Sequence, residues 1–228
     1  MSRPLLILRP LDGALQTEKR AKELGFRTVV DPLFTIEPIQ WSAPAAQDYD
    51  GLLLTSANAV VCGGAQLDAY RSLPILAVGQ ATAQAAEKSR FNVVETGQSG
   101  GQQLLDALAA DRYRRLLWLA GEQHSKLDGG KRRLDIVPVY RSRANALGER
   151  AVTALQAETI VLIHSARAGR QLVSELDRLN IAKNRHHALV FSAKVAEAAG
   201  QGWRSLHIAD RPDDESLLSL ASRLCQSG

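Results

Sequence analysis

Asp50-Gly51-Leu52-Leu53-Leu54-Thr55-Ser56-Ala57-Asn58-Ala59-Val60 combines a short apolar run, a hydroxyl pair and a helix start. The pattern returns with Ser165 placed 109 positions after Ser56, where Glu158-Thr159-Ile160-Val161-Leu162-Ile163-His164-Ser165-Ala166-Arg167-Ala168 repeats an acid, an apolar run, a polar residue before Ser, and Ala-X-Ala. An apolar run of this length, bounded by turn-formers and leading into Ala-rich sequence, reads as a strand buried on both faces, followed by a loop and a helix. Ser56 and Ser165 then occupy C-terminal strand ends. In open α/β sheets that edge binds ligands, because loop amides and helix N-termini converge there.

Working outward, Leu5 to Leu8 reads as a strand ending at Arg9-Pro10, Ala14 to Leu24 as an amphipathic helix stopped by Gly25, and Phe26 to Val30 as a second strand. Leu33 to Ile39 alternates apolar and polar residues beyond Pro32 and reads as an extended ribbon leaving the first sheet. A helix over about Asn58 to Leu67 precedes the strand Ile75-Leu76-Ala77-Val78, the turn Gly79-Gln80-Ala81-Thr82 and an Ala-rich helix. The short strand Val93-Val94, a Gly-rich loop, a helix Gln102 to Ala109 and a strand Leu116 to Leu119, ending at Ala120-Gly121, complete the series. Strands that alternate with helices imply parallel sheets and an α/β fold.

The second half repeats the first: Ser192 follows Gly79 by 113 positions, and Leu217-Leu218 follow Leu104-Leu105 by the same 113. The C-terminal series lacks a final βαβ unit, and the N-terminal residues supply one. We therefore expect a discontinuous domain of residues 1–33 plus 143–228, an inserted domain over 40–135, and linker strands at 34–39 and 136–142. Pairing of those strands is expected to make a narrow hinge beside a cleft.

With 228 residues, 45% of them hydrophobic and 23% charged, the chain can build a sizeable core. Cys62 and Cys225 are too few and too far apart for a disulfide framework or a cysteine metal site. The run Leu5 to Leu8 is cut by Arg9-Pro10, so neither a signal peptide nor a membrane span is expected, and residence is expected in the cytoplasm. The net charge is +4, with basic residues scattered apart from Arg112/Arg114/Arg115 and Lys131/Arg132/Arg133, clusters that read as solvated surface, and 5% aromatic residues offer little stacking platform for nucleic acid. The pair His186-His187 lacks partners at ligand spacing and reads as surface.

Taken together, Arg9-Pro10, the stretch from Asp50 to Val60, Val78-Gly79-Gln80-Ala81-Thr82-Ala83, Ala120-Gly121, Val137-Pro138-Val139-Tyr140 and Ile163-His164-Ser165-Ala166 strongly resemble the uroporphyrinogen-III synthase family over nearly the whole chain. The resemblance implies two flavodoxin-like parallel-sheet domains, one discontinuous, joined by a two-stranded linker. It implies a cyclising hydro-lyase that converts hydroxymethylbilane, a linear tetrapyrrole, into uroporphyrinogen III with inversion of the last ring in an interdomain cleft. No cofactor and no metal are implied, and a monomer is expected. Two places depart from the family pattern: Ser192-Ala193-Lys194-Val195 stands where Gly and Thr are usual, and Glu122 to Asp135 is short and basic.

The substrate so implied carries many carboxylates and loses water readily, so control of chain shape outweighs bond activation. Backbone amides at Ser56, Ala57, Asn58 and Ala59, at Gly79, Gln80 and Thr82, at Ala120 and Gly121, and at Ser165, Ala166 and Arg167 suit carboxylates, together with the hydroxyls of Thr55 and Ser192 and the cations Arg9 and Arg167. Tyr140 matches the family tyrosine facing the cleft, and its phenol is expected to hydrogen-bond the departing hydroxyl or to act as general acid. The plainer readings are a linker residue for Tyr140 and helix caps for Thr55, Ser56, Thr82 and Ser165. Two other functions compete. Gly97-Gln98-Ser99-Gly100-Gly101 fits the G-x-S-x-G pattern of a serine hydrolase using Ser99, and the two-domain plan suits a non-catalytic small-molecule binding protein.

Overall fold

The computed structural model describes residues 3–109 and 111–226. In order, the strands and helices are β1 (Leu5–Ile7), α1 (Leu11–Glu23), β2 (Thr28–Val30), β3 (Phe34–Pro38), β4 (Gly51–Leu54), α2 (Ala57–Cys62), β5 (Ile75–Val78) and α3 (Gln80–Lys88). They continue as β6 (Val93–Gly97), α4 (Gly101–Ala107), β7 (Arg115–Gly121), β8 (Arg133–Ala144), α5 (Glu149–Ala154), β9 (Ile160–Ile163), α6 (Ala166–Arg178), β10 (His187–Val190), α7 (Ala193–Ala199), β11 (Ser205–Ile208) and α8 (Asp214–Gln226). The fold is α/β, built as two compact units. One comprises the chain up to Thr35 with the chain from Arg143 onward, and the other is Ile36–Ser142. The chain passes between them along β3 and β8, which are hydrogen-bonded neighbours.

In the discontinuous unit the strand order is β11-β10-β9-β1-β2, and its pairings are parallel. The register Leu5↔Ile160, Leu6↔Val161 and Ile7↔Leu162 sends successive side chains to opposite faces. Leu6, Val161, Ile163 and Val190 pack against α5, α6 and α7, while Leu5, Ile7, Ile160 and Leu162 pack against α1 and α8. A sheet covered on both faces explains why these strands read as continuous apolar runs. Burying each Leu or Ile side chain contributes about 1.5–3 kcal/mol.

The inserted unit orders its strands β3-β8-β7-β4-β5-β6, parallel from β8 to β6. Leu52, Leu54, Leu117 and Leu119 face one side, and Leu53, Leu76, Leu116 and Trp118 the other. The order β8-β7-β4-β5-β6 matches β2-β1-β9-β10-β11 strand for strand, so the repeat is topological as well as sequential. In both sheets the connections run away from a central pair, β4/β7 in one and β1/β9 in the other. The crevice at the carboxyl ends of such a pair is where α/β sheets hold ligands.

Three elements differ from the sequence reading. The helix expected over about Asn58 to Leu67 stops at Cys62 and is followed by a 3-10 turn at Gly64–Tyr70. Gly64 takes φ +66, which no continuing α-helix contains. β8 begins at Arg133, and it pairs with β7 from Arg133↔Arg115 to Tyr140↔Gly121. The histidine pair read as surface is instead buried at the start of β10. His187 is satisfied there by Ser205 Oγ at 2.7 Å and Glu158 Oε1 at 2.8 Å, partners that a local reading of polarity does not see.

Candidate functional site

β7 ends at Gly121 beside β8, and the pairing slips there: Ala120 faces Pro138, but Gly121 faces Tyr140. This β-bulge breaks the alternation of β8, so that the neighbours Val139 and Tyr140 both pack on the same apolar cluster. Bulges re-aim side chains, and this one sets the phenol of Tyr140 across Gly121. A Cβ on Gly121 would meet Tyr140 Cζ at 2.8 Å and its hydroxyl oxygen at 3.0 Å, so glycine is what lets the ring lie there. The amide of Glu122 donates to the Tyr140 carbonyl at 2.8 Å and fixes the corner.

Around this corner lies a pocket of about 260 Å³ lined by Thr55, Val78, Trp118, Gly121 and Tyr140, with Gly101, Gln123, His124, Ser125 and Leu127 closing its rim. It opens at the carboxyl ends of β4, β5 and β7, the crevice expected from the strand order. Thr55 contributes through Trp118, whose Nε1–H donates to Thr55 Oγ1 at 3.1 Å. Buried Trp118 also supports the His124 ring edge-on, with centroids 4.8 Å apart.

The structure thus brings together Thr55, Gly121 and Tyr140 of the residues expected from sequence. Ser56 caps α2, with its Oγ accepting from the Asn58 amide at 3.2 Å, and the Ala59 amide donates to the Ser56 carbonyl. Ala57 begins that helix beside the pocket. Gly79 turns the chain at φ +83 before α3, Gln80 is exposed at its first position, and Thr82 is buried in its first turn. Ala120 is buried in β7. The amides of Asn58, Ala59, Gly79 and Thr82 donate to acceptors within the fold. This narrows the set of donors that the residue pattern offered.

The other candidates lie in the discontinuous unit. Ser165 caps α6, its Oγ accepting from the Ala168 amide at 3.1 Å, and Ala166 opens that helix. Arg167 lays its guanidinium 4.1 Å over the Phe34 ring. Ser192 stands before α7 with no cap bond from its hydroxyl. Arg9 follows β1, and its Nη1 donates to Asp214 Oδ1 at 3.0 Å and to Thr17 Oγ1 at 3.4 Å. Asp214 also accepts from Thr17 Oγ1 at 2.8 Å and from Arg20 Nη1 at 3.2 Å. Burial pushes the Asp214 carboxyl up, but His164, the Thr17 hydroxyl and Arg9 outweigh it and hold the group below the usual carboxylate range. His164, 6% exposed at its side chain, lies 3.4 Å from Asp214 Oδ1 without hydrogen-bond geometry, and burial pushes its pKa down.

The sequence reading missed Trp118 as a wall, His124, Gln123 and Ser125 as a rim, and Asp214 as the partner of Arg9. A lone Trp in a leucine strand, two residues before Ala-Gly, is the one local signal for the wall. Ser99 is exposed between β6 and α4, and among the described residues no hydrogen bond joins it to a histidine. Among the described residues no group of three or more His, Cys, Asp or Glu side chains is placed to hold a metal ion, and no helix is long and apolar enough to cross a membrane.

A family model described as uroporphyrinogen-III synthase HemD matches residues 16–219. The chain belongs to the uroporphyrinogen-III synthase family. It is thereby an enzyme of haem biosynthesis that acts on a tetrapyrrole, and neither the structure nor the comparisons favour a hydrolase or a non-catalytic binder. Solved structures agree in fold. Uroporphyrinogen-III synthetase from Helicobacter pylori superposes with a TM-score of 0.66 at 16% identity, covering 98% of this chain and 100% of that one. A mutant uroporphyrinogen-III synthase from Thermus thermophilus gives 0.55 at 17% identity, with 100% of both chains covered. A search of curated protein sequences finds no significant match.

Proposed function

We propose that the chain is a cyclising hydro-lyase that removes water from hydroxymethylbilane and closes it to uroporphyrinogen III with inversion of the last ring, and that Tyr140 works from the pocket at the ends of β4 and β7. Family membership over residues 16–219 carries the reaction, and the Gly121–Tyr140 contact carries the site. Departure of the hydroxymethyl oxygen needs a proton, because hydroxide is a poor leaving group. A phenol held over a glycine at a pocket wall can deliver that proton. The remaining work is positioning: holding the reactive end of the chain near its target excludes the simpler closure without inversion. Arg9, Arg167 and the hydroxyls of Ser165 and Ser192 remain candidates for the carboxylates at the other crevice. We include in this reading a cytoplasmic monomer that needs no metal or organic cofactor.

Incubation of chelator-treated protein with freshly made hydroxymethylbilane, followed by oxidation and separation of the isomers, tests the proposal. Predominant type III product is expected. Type I product alone, at the rate seen without protein, would overturn it.

A further inference from the structure

The two proton transfers of this reaction take place at different atoms, which leaves room for a second group. When water leaves, the C–O bond breaks with its electron pair on oxygen, the pyrrole nitrogen feeds electrons to the exposed carbon, and one proton is taken up by the oxygen. The exposed carbon then bonds to the substituted α-carbon of the terminal pyrrole. The bond from that α-carbon to its neighbouring methylene breaks with the electron pair returning to the pyrrole, and the freed methylene carbon bonds to the pyrrole's free α-carbon, which inverts the ring and closes it. That carbon then loses its proton to restore aromaticity. One proton goes in at the departing oxygen and one comes out at a different carbon in a later step, so a separate base spares the site from serving both positions with one group.

The pocket contains one side chain suited to the second task. His124 stands on the rim at the end of β7, braced edge-on by Trp118, which Thr55 holds in turn. Its Nδ1 lies 3.0 Å from the Ser125 carbonyl oxygen. A carbonyl only accepts, so Nδ1 carries the hydrogen, and the lone pair of the neutral ring is on Nε2. No other hydrogen bond to this ring is seen among the described residues. The lining residues include no carboxylate and no other histidine, and Tyr140 is the other titratable group among them. Glu122, Lys126 and Asp128 belong to the same loop, and α4 carries Asp106, which accepts from Gln102; none of these lines the pocket.

We propose that His124 is the base of the reaction, taking through Nε2 the proton released at ring closure while Tyr140 supplies the one that leaves with water. This rests on the reading of the function given above. His124 comes from the short basic loop in which this chain departs from the family pattern, so the assignment concerns this chain's own residues.

The test measures isomer-resolved kcat and KM for the wild type, His124→Gln and His124→Ala between about pH 5.5 and 8.5. His124 is exposed, so both variants are expected to fold, and a thermal melt checks this. In the wild type, kcat should rise with pH through that range. In His124→Gln the rise should vanish and kcat at pH 8 should fall about 10²-fold, the low end for general base catalysis, with KM changed little. Added imidazole should restore part of the His124→Ala rate. A folded His124→Gln with wild-type kcat and pH profile would overturn the inference while leaving the function intact. A change in KM alone would also overturn it, by showing that His124 only holds substrate. A wild type that makes no type III isomer would remove the function and the inference together.

Discussion

Substituting Gly121 by Ala tests how far the position of one phenol governs the rate. The backbone of Gly121 does not need glycine's freedom, because its φ lies outside the left-handed region. The obstacle is the Tyr140 ring. An added Cβ would sit 2.8 Å from Cζ, 2.9 Å from Cε2 and 3.0 Å from the hydroxyl oxygen. Carbon atoms pack best at about 3.5–4.0 Å, so the ring must retreat by about 0.7–1.2 Å. Tyr140 is half-buried and can swing toward the pocket, which keeps the loss of stability near about 1 kcal/mol, within the range of modest overpacking. The rate should suffer more, because a displacement of about 1 Å at a reacting group costs on the order of 10²-fold. The assay is isomer-resolved kcat on protein whose folding has been checked by thermal melting, for Gly121→Ala, Tyr140→Phe and the double variant. If the methyl acts through the phenol, the double variant should be no slower than Tyr140→Phe, as expected for two changes in one contact. A Gly121→Ala variant with wild-type rate, or losses that multiply in the double variant, would refute the role given to the phenol's position.

Asp214→Ala should remove the carboxylate that holds Arg9, Thr17 and Arg20, and since hydrogen bonds to charged groups are worth about 1.5–3 kcal/mol, the melting temperature should drop by several degrees. An unchanged melting temperature would show the network to be incidental. The buried His164 and His186 both have pKa values pushed below 6.5 by burial, so the unfolded chain binds more protons than the folded one as pH falls below that value. Their contribution is complete above pH 6.5 and is lost as pH falls through the folded values. Thermal melts between about pH 8 and 5 should therefore show falling stability, and His186→Phe should flatten the slope. A slope identical to wild type in that variant would assign the acid sensitivity elsewhere.

Element types were legible where the physics is local. The Leu52 to Leu54 and Ile160 to Ile163 runs are apolar on both faces because helices cover both faces of their sheets, and Ser56 and Ser165 cap the helices that follow. What escaped depends on partners far away in the chain. His186 and His187 look polar in sequence, yet the sheet buries both, and Glu158 and Ser205 satisfy only the second. Arg9 looked like a free cation because Asp214 lies 205 positions away. Tyr140 was legible as a residue, but the bulge that aims it is a property of the pairing of β7 with β8 and has no signature within either strand.

The repeat makes the difference between the two crevices informative. Equivalent strand orders put the ends of β4 and β7 in one unit in the same topological place as the ends of β9 and β1 in the other. At the first, small residues leave room: Gly121 has no side chain, Thr55 turns its hydroxyl to Trp118, and a pocket of about 260 Å³ remains beside Tyr140. At the second, a carboxylate from α8 draws Arg9, Thr17 and Arg20 together, with buried His164 alongside. A carboxylate that is almost fully buried and multiply hydrogen-bonded is costly to disturb. Cations suit the recognition of substrate carboxylates, and a pocket with a phenol and an imidazole suits proton transfer. On the proposed reading, proton transfer falls to the crevice beside Tyr140 and charge recognition to the one that Asp214 braces.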